Sequence, residues 1–147
     1  MALLQNKYAG SQYEIIDTFE AGIVLHGFEV KSLKNQQGSL KEAYATIDSH
    51  NEVFLVKAHI PPYQQNNTPP TYDPYRRRKL LLKKSEIDRM IKAKHTQGLT
   101  LIPISLYNKG RQIKAQIALA RGLKKHDKRE KLKQKDAERD MQRLMKR

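Results

Sequence analysis

Histidine and carboxylate side chains, the usual carriers of catalysis, are spread along this sequence without a spacing that would bring them together. The five histidines fit no metal-ligand pattern such as HExxH, and no GxGxxG, Walker or GxSxG motif is present. Glu29 and Asp73 lie in notable places but form no convincing pair. A metal-dependent nuclease usually needs several carboxylates that converge on one point. The sequence therefore predicts a protein that is not an enzyme and that binds no metal or cofactor.

The basic side chains offer a different chemistry, which is the binding of phosphate. The chain of 147 residues has 29 Lys and Arg against 15 Asp and Glu, a net charge of +14, and its pI is about 10.0. This balance makes nucleic acid the leading partner and an anionic membrane the second. The chain has no cysteine, which excludes disulfides and thiolate metal sites. No apolar run is long enough for a signal peptide or a membrane span, so we expect a cytoplasmic protein without membrane contact.

Half of the net charge lies in residues 121–147, which contain twelve Lys or Arg and five Asp or Glu. This segment has few apolar residues and no aromatic one, so it cannot bury enough surface to fold alone. Asp127 and Glu130 are three residues apart, as in a capping box, which predicts a helix that begins there. We expect a basic C-terminal tail over 121–147, disordered when free and helical when bound, and a folded platform over residues 1–120.

The platform is predicted to consist mainly of strands. Gly22 is expected to bend or bulge the chain between the first two strands, and Asn108-Lys109-Gly110 predicts a tight hairpin between the last two. Short helices are expected over 28–34 and from Ser85 to Gly98. Because strands and helices do not alternate regularly, we predict a mainly β protein with flanking helices, an OB-like closed β-barrel of about six strands. The predicted strands cover residues 13–20, 23–25, 43–47, 53–58, 80–82, 99–107 and 112–120.

Residues 59–75 differ from the rest, because they contain five of the six prolines together with Tyr63, Tyr72 and Tyr75. A connection this long without regular structure is often functional or disordered. Its tyrosines could stack on nucleotide bases, or they could seal one end of the barrel. A basic run over 76–79 follows, then three leucines and Lys83-Lys84, and an extended strand there would place alternate basic side chains where phosphates can reach them.

Four separated motifs carry a resemblance to a known family. They are GFEVKSLK at 27–34, RKLLL at 78–82, GLTLIP at 98–103 and HDKRE at 126–130. In this order they resemble the SmpB family, the SsrA-binding proteins of bacteria, from about Asn6 to the C-terminus. The resemblance implies an OB-like barrel that binds the tRNA-like domain of transfer-messenger RNA (tmRNA) and brings it to ribosomes stalled in translation. It also implies a tail that enters the empty decoding region and mRNA channel as a helix, with no catalytic step.

The resemblance also implies where RNA is recognised. Glu29, Leu81 and Asn6 match positions tied to tmRNA recognition, although Leu81 could instead be a core residue and Glu29 a helix cap or an ion-pair partner. His126 would lie against decoding-centre rRNA, since an imidazole offers both a flat face and a hydrogen-bond donor. The predicted tmRNA face comprises Asn6, Lys7, Glu29, Lys31, Arg76, Arg78, Lys79, Leu81 and Lys83. The predicted ribosome-binding residues of the tail are Gly122, Lys124, Lys125, His126, Asp127, Lys128, Arg129, Lys131, Lys133 and Lys135.

The sequence departs from the family pattern at a few positions. Lys83 stands where the family commonly has His or Asn, Tyr8 and Ser11 stand near an N-terminal site that is usually basic, and Leu123 replaces a usual Lys. Charge and composition alone would also suit a structural ribosomal protein whose basic extension threads rRNA, and the four motifs favour the adaptor over it. We expect the adaptor to be a monomer in solution.

Overall fold

A computed structural model of the chain describes residues 2–64, 66, 68–123 and 125–145. Its strands are β1 (Ala2–Gln5), β2 (Tyr13–Ile23), β3 (Tyr44–Ile47), β4 (Val53–Val56), β5 (Arg78–Leu81), β6 (Thr100–Lys109) and β7 (Gln112–Gly122). Its helices are α1 (Ala9–Gln12), α2 (Gly27–Lys34), α3 (Lys84–Gln97) and α4 (Lys125–Met145). No helix in the described ranges is both long enough and apolar enough to cross a membrane.

Six of the strands pair in a closed ring, entirely antiparallel, in the order β6-β3-β4-β5-β2-β7 and back to β6, while β1 pairs with residues 105–107 of β6. Side chains from alternate positions fill the inside, because successive residues of a strand point to opposite faces. Along β7, Ile113, Ala115, Ile117 and Leu119 are buried in the main core, as their spacing predicts. The mainly β architecture with flanking helices and a ring of six strands is confirmed.

Local signals account for several of these elements. The β6–β7 hairpin turns at Gly110, whose φ of +63° is the left-handed conformation that favours glycine, and Lys109 pairs with Gln112 across the turn. Gly98 ends α3 in the same conformation, with its N–H donated to the carbonyl of Lys94 at 3.2 Å. The N-cap of α3 is Lys83, two residues before the predicted Ser85, and the Glu86 carboxylate accepts the Lys83 N–H at 3.1 Å.

The N-terminal third differs from the prediction in β1 and α1, which were not predicted, and in the course of β2. β2 runs unbroken through Gly22, and its irregularity lies between Ile15 and Asp17, so the predicted break at Ala21-Gly22 is wrong. Gly22 pairs with Leu81 of β5 on one side and Lys114 of β7 on the other. A Cβ on Gly22 would lie 3.2 Å from the Cβ of Leu81, so glycine is needed here for close approach of two strands rather than for a bend.

The described part of the proline-rich segment 59–75 contains no α-helix and no strand of several residues, and its regular structure is limited to a 3-10 conformation at Asn66 and a bridge at His59. It leaves the ring after β4 and returns at β5, and Ser39 pairs with His59 in an isolated antiparallel bridge at its start. The C-terminal segment forms α4, which begins at Lys125, two residues before the predicted start. Disorder of this segment in the free protein remains a prediction.

Candidate nucleic-acid interface

Glu29 stands at the start of α2, where its side chain turns back to the residue before the helix. The His26 N–H is donated to Oε1 of Glu29 at 2.8 Å, which satisfies one of the amide groups that the first helical turn leaves unpaired. Leu33 of the same helix is fully buried in the core, and Val30 packs against it. The helix is therefore fixed on the ring by its apolar side, and Glu29 is fully buried beneath it.

Four side chains meet at this point, and we call Glu29, Tyr72, Arg76 and Arg78 the Glu29 cluster. Arg78 is fully buried and donates to Oε2 of Glu29 from Nε at 2.9 Å and from Nη2 at 2.7 Å. Arg76 donates to the same oxygen from Nε at 3.2 Å and also pairs with Oε1. The Tyr72 hydroxyl lies 2.9 Å from Oε2. Among the described residues, no buried side-chain nitrogen or oxygen lacks a hydrogen-bond partner.

The cluster keeps Glu29 ionised. Burial would raise the pKa of Glu29, but hydrogen bonds from Arg76, from the His26 N–H and from Arg78, together with the charge of Arg78, lower it to about 2. Burial and then the hydrogen bond to Glu29 raise the pKa of Tyr72 to about 12. The single negative charge of Glu29 thus faces the two positive charges of Arg76 and Arg78. Of these two, Arg76 is the one that reaches solvent, with its side chain 26% exposed.

Arg78 also connects the two ends of the proline-rich segment. Its Nη1 donates to the carbonyl of Ala58 at 2.7 Å, and its Nη2 donates to the carbonyl of Pro74 at 2.9 Å. The Tyr72 hydroxyl lies 2.7 Å from the carbonyl oxygen of Ile60. The cluster therefore fixes the segment against α2, and the Tyr72 hydroxyl is engaged in this contact.

Beside the cluster, α2 and the proline-rich segment present aromatic rings next to basic side chains. Phe28 stacks on His26 with ring centroids 5.2 Å apart and meets Tyr72 edge-on at 4.7 Å. The exposed Lys31 places Nζ 5.9 Å from the ring of Tyr63, at a pocket of about 340 Å³ that Phe28 also lines. Aromatic faces can stack on unpaired bases while lysine and arginine contact phosphates.

Leu81 is exposed on the other side of α2. Leu81 is 53% exposed, because side chains alternate along β5, with Arg78 and Leu80 buried and Lys79 and Leu81 exposed. The alternative in which Leu81 is a core residue is thus wrong. Leu81 borders a pocket of about 430 Å³ whose other lining residues include Val30 of α2, Arg111 and Lys114. We call this pocket, α2 and the adjoining proline-rich segment the α2 face.

A family model described as SmpB protein matches residues 3–147 of the chain. The chain belongs to the SmpB family. SsrA-binding proteins of Listeria welshimeri and Oceanobacillus iheyensis are 49% and 47% identical to it over 142 and 144 residues, which cover 97% and 98% of this chain and 91% and 92% of theirs. The SsrA-binding protein of Burkholderia lata is 43% identical over 145 residues, 99% of this chain and 97% of its own.

A solved structure described as "tmRNA-SmpB: a journey to the center of the bacterial ribosome" contains a chain of similar fold. The TM-score is 0.68 and the sequence identity 38%, over 86% of this chain and 92% of the solved one. The SmpB-family resemblance seen in the four sequence motifs is therefore confirmed along nearly the whole chain.

The structure separates the predicted tmRNA face of this SmpB-family chain into exposed and buried residues. Glu29 and Arg78 are fully buried, so any contribution that they make to RNA binding passes through the residues that they position. The Lys79 side chain is 45% exposed and lies 3.6 Å from Glu52. Arg76, Leu81, Lys31 and Lys83 reach the surface, and Lys83 precedes α3.

Asn6 and Lys7 belong to the turn between β1 and α1. Asn6 donates from Nδ2 to the carbonyl of Pro103 at 3.0 Å, and its Oδ1 accepts the Tyr8 N–H at 3.2 Å. Lys7, between them, is exposed. In this SmpB-family chain Asn6 thus shapes a turn that presents Lys7, and the pairing of β1 with β6, which sequence reasoning missed, is what positions that turn.

The predicted tail residues lie in or next to α4. Gly122 ends β7 opposite Tyr13, and the next residue, Leu123, donates its N–H to the carbonyl of Gln12 at 3.0 Å. Lys133 and Lys135 are exposed on α4. Lys124 lies outside the described residues, and of Lys125, His126, Asp127, Lys128, Arg129 and Lys131 the structure describes the helical backbone but not the side chains.

Proposed function

We propose that this SmpB-family protein is the RNA-binding adaptor that binds the tRNA-like domain of tmRNA and delivers it to stalled ribosomes for trans-translation. The observation that carries this proposal is full-length membership of the family, since relatives covering 97–99% of the chain are SsrA-binding proteins. A chain of the same fold in the tmRNA–SmpB ribosome structure supports the same partners, tmRNA and the ribosome. Adaptor work at the ribosome also supports a cytoplasmic location and a role without catalysis.

We assign tmRNA binding to the α2 face. The exposed Leu81 beside Arg111 and Lys114 offers an apolar contact flanked by two cations, and Phe28 with Lys31 offers a ring and a phosphate donor on the same helix. The Glu29 cluster pre-organises this surface, because it fixes α2 to the proline-rich segment before RNA arrives. Pre-organisation lowers the entropy lost on binding.

We assign the ribosome-binding role to the basic tail, in α4. Its exposed lysines can neutralise rRNA phosphates, and α4 contacts the rest of the chain at α1, where Lys135 lies near Gly10. The division into a ring domain and a separately acting tail follows from the charge distribution, in which half of the net charge falls after residue 120.

The decisive experiment is a salt titration of binding to a tmRNA tRNA-like domain and to an ordinary tRNA. We expect a clear preference for the tRNA-like domain that persists at physiological salt, because contacts to phosphates alone weaken steeply as salt rises. Equal affinities that vanish together with salt would refute the adaptor assignment. Stable retention on one washed ribosomal subunit without tmRNA would instead support a structural ribosomal protein.

A further inference from the structure

A separate pocket of about 530 Å³ opens between the segment that precedes β3, the residue that follows β4 and the end of the proline-rich segment. None of its lining residues borders the pockets of the α2 face, and the proposed function makes no use of it. We call it the Tyr75 pocket. It is lined by Ser39, Lys41, Glu42, Lys57, His59 and Tyr75.

Hydrogen bonds and close packing fix the backbone beneath the Tyr75 pocket. Ser39 and His59 exchange two hydrogen bonds, at 2.8 Å and 2.9 Å. Gly38, with a φ of +128°, lies so close that a Cβ there would be 2.7 Å from the carbonyl oxygen of His59, so only glycine fits. Lys57 has a left-handed φ of +62°, which is uncommon for a residue with a side chain. The pocket is therefore a built feature of the fold.

Two lysines of the pocket lie next to tyrosine rings. Lys41 places Nζ 5.9 Å from the ring of Tyr8, and Lys57 places Nζ 5.7 Å from the ring of Tyr44. Within the described part of the chain, neither ammonium group has a carboxylate at ion-pair distance. An ammonium over a ring is oriented but keeps its N–H donors for another acceptor. Both lysines can therefore contact phosphate.

The rings around the pocket are exposed. Tyr75 is 57% exposed and meets His59 with ring centroids 4.8 Å apart, while Tyr8 and Tyr44 are 44% and 37% exposed. Exposed rings interleaved with unpaired cations are typical of surfaces that bind single-stranded nucleic acid, where bases stack on rings and the backbone follows the positive charge. An acidic peptide would use the cations but has no group that needs an exposed row of tyrosines.

We propose that the Tyr75 pocket is a second RNA site, which takes an unpaired nucleotide of a single-stranded segment. The base stacks on Tyr75, and the neighbouring phosphates contact Lys41 and Lys57. Stacking tolerates any base, so the site has little sequence preference. The site goes beyond the proposed function, because an adaptor that binds the tRNA-like domain through its α2 face still has this pocket available for a different RNA strand.

The full-length chain offers a local reporter for this site. It contains no tryptophan, so a Tyr75→Trp variant has a single indole at the pocket, and a base that stacks on it quenches its fluorescence. We expect a short unstructured RNA of mixed sequence to quench the reporter, and to do so equally when a saturating tRNA-like domain is present. Replacing both lysines, Lys41→Gln with Lys57→Gln, should reduce the steepness of the slope of log affinity against log salt by about 1.4.

Matched controls separate this site from the tail and from the α2 face. Lys92→Gln with Lys94→Gln removes the same charge from exposed positions of α3 and should leave the quenching curve unchanged. The Lys41/Lys57 variant should keep its affinity for the tRNA-like domain, so this test and the test of the proposed function can fail independently. Binding seen by anisotropy without any quenching would mean that the tail alone binds the strand and would overturn the proposal. Quenching by an acidic peptide but not by RNA would also overturn it.

A variant of Glu42 should strengthen RNA binding at the pocket, whereas the lysine variants weaken it. The exposed Glu42 carboxylate lines the same pocket and repels phosphate, so Glu42→Gln in the Tyr75→Trp background should strengthen RNA quenching. An unchanged or weaker curve for this variant would contradict the placement of phosphate beside Lys41 and Lys57.

Discussion

Arg78 donates two hydrogen bonds to a single oxygen of Glu29, Oε2, from Nε at 2.9 Å and from Nη2 at 2.7 Å, and both residues are fully buried. Removing one partner of such a pair leaves the other as an uncompensated buried charge. We therefore propose Glu29 as a positioning residue of the α2 face, whose effect on RNA binding would pass through Arg76, Tyr72 and α2.

Glu29→Gln should lower the free energy of unfolding by about 3–5 kcal/mol, because Arg78 loses its counter-charge while it remains buried. Urea denaturation at pH 7 measures this change. The matched control is Glu52→Gln, whose partner Lys79 is 3.6 Å away with both side chains nearly half exposed, and its effect should stay below about 1 kcal/mol. Equal small effects of both variants would show that the Glu29 cluster does not stabilise the fold.

The Glu29 carboxylate makes the folded chain less stable as the pH falls. The pKa of Glu29 is about 2 in the folded chain and 4.5 as a free group, so its contribution is complete above pH 4.5 and is lost as the pH falls toward 2. This shift corresponds to about 3 kcal/mol. We expect the difference in unfolding free energy between wild type and Glu29→Gln to shrink over this window. A difference that stays constant from pH 6 to pH 3 would contradict the lowered pKa.

Leu81 and Leu80 form a matched pair, since they are adjacent leucines of β5 that are 53% and 2% exposed. Leu81→Ala should change the unfolding free energy by less than about 1 kcal/mol and weaken binding to the tRNA-like domain. Leu80→Ala should cost about 2–5 kcal/mol of stability, because it opens a cavity in the core. Binding titrations with thermal melts of both variants test this. Unchanged RNA affinity in Leu81→Ala would remove Leu81 from the proposed interface.

Deleting residues 124–147 should separate the two proposed activities. The deletion keeps Leu123, whose N–H is donated to Gln12 and ties the end of β7 to α1. Binding to the tRNA-like domain should therefore be retained, while tagging of nascent chains in a translation extract should be abolished. Replacing Asp127, Lys128 and Arg129 together by alanine should give the same pattern. Loss of RNA binding together with tagging would argue against a tail that acts separately.

Gly122 differs from the other glycines discussed, because a Cβ there would meet no atom within 4 Å and its backbone is not left-handed. Gly122→Ala should accordingly leave the melting temperature within about 2 °C of wild type. A requirement for glycine at this position would then come from another conformation of the tail, and tagging by Gly122→Ala, measured beside tRNA-like-domain binding, reports it. Marked destabilisation would show instead that the extended end of β7 needs glycine.

The features that could be predicted from the sequence are those encoded by neighbouring residues. The left-handed Gly110 and Gly98, and the alternation of apolar residues along β7, each act within a few positions of the chain. The direction of Leu81 could not be obtained in this way, since three consecutive leucines show no alternation, and a shift of one residue in a strand reverses its faces. The burial of Arg78 and Leu80 along β5 is what shows that Lys79 and Leu81 form the exposed face.

The Glu29 cluster could not be predicted for a different reason. Tyr72, Arg76 and Arg78 lie 43, 47 and 49 residues from Glu29, and no local pattern links a carboxylate to partners that far along the chain. The basic run at 76–79 was correctly recognised as a feature, but its residues divide between the interior and the surface. Arg78 is fully buried, whereas Arg76 and Lys79 reach the surface, each paired with a carboxylate.

Arg78 bridges the carbonyls of Ala58 and Pro74, and this bridge makes the stability of the ring nearly independent of the length of the segment between them. The ends of the segment are joined by a guanidinium group rather than by its own contour, and lengthening a closed loop costs only about 0.6 kcal/mol for each doubling. A longer segment between these two carbonyls should therefore leave the ring with nearly the same stability.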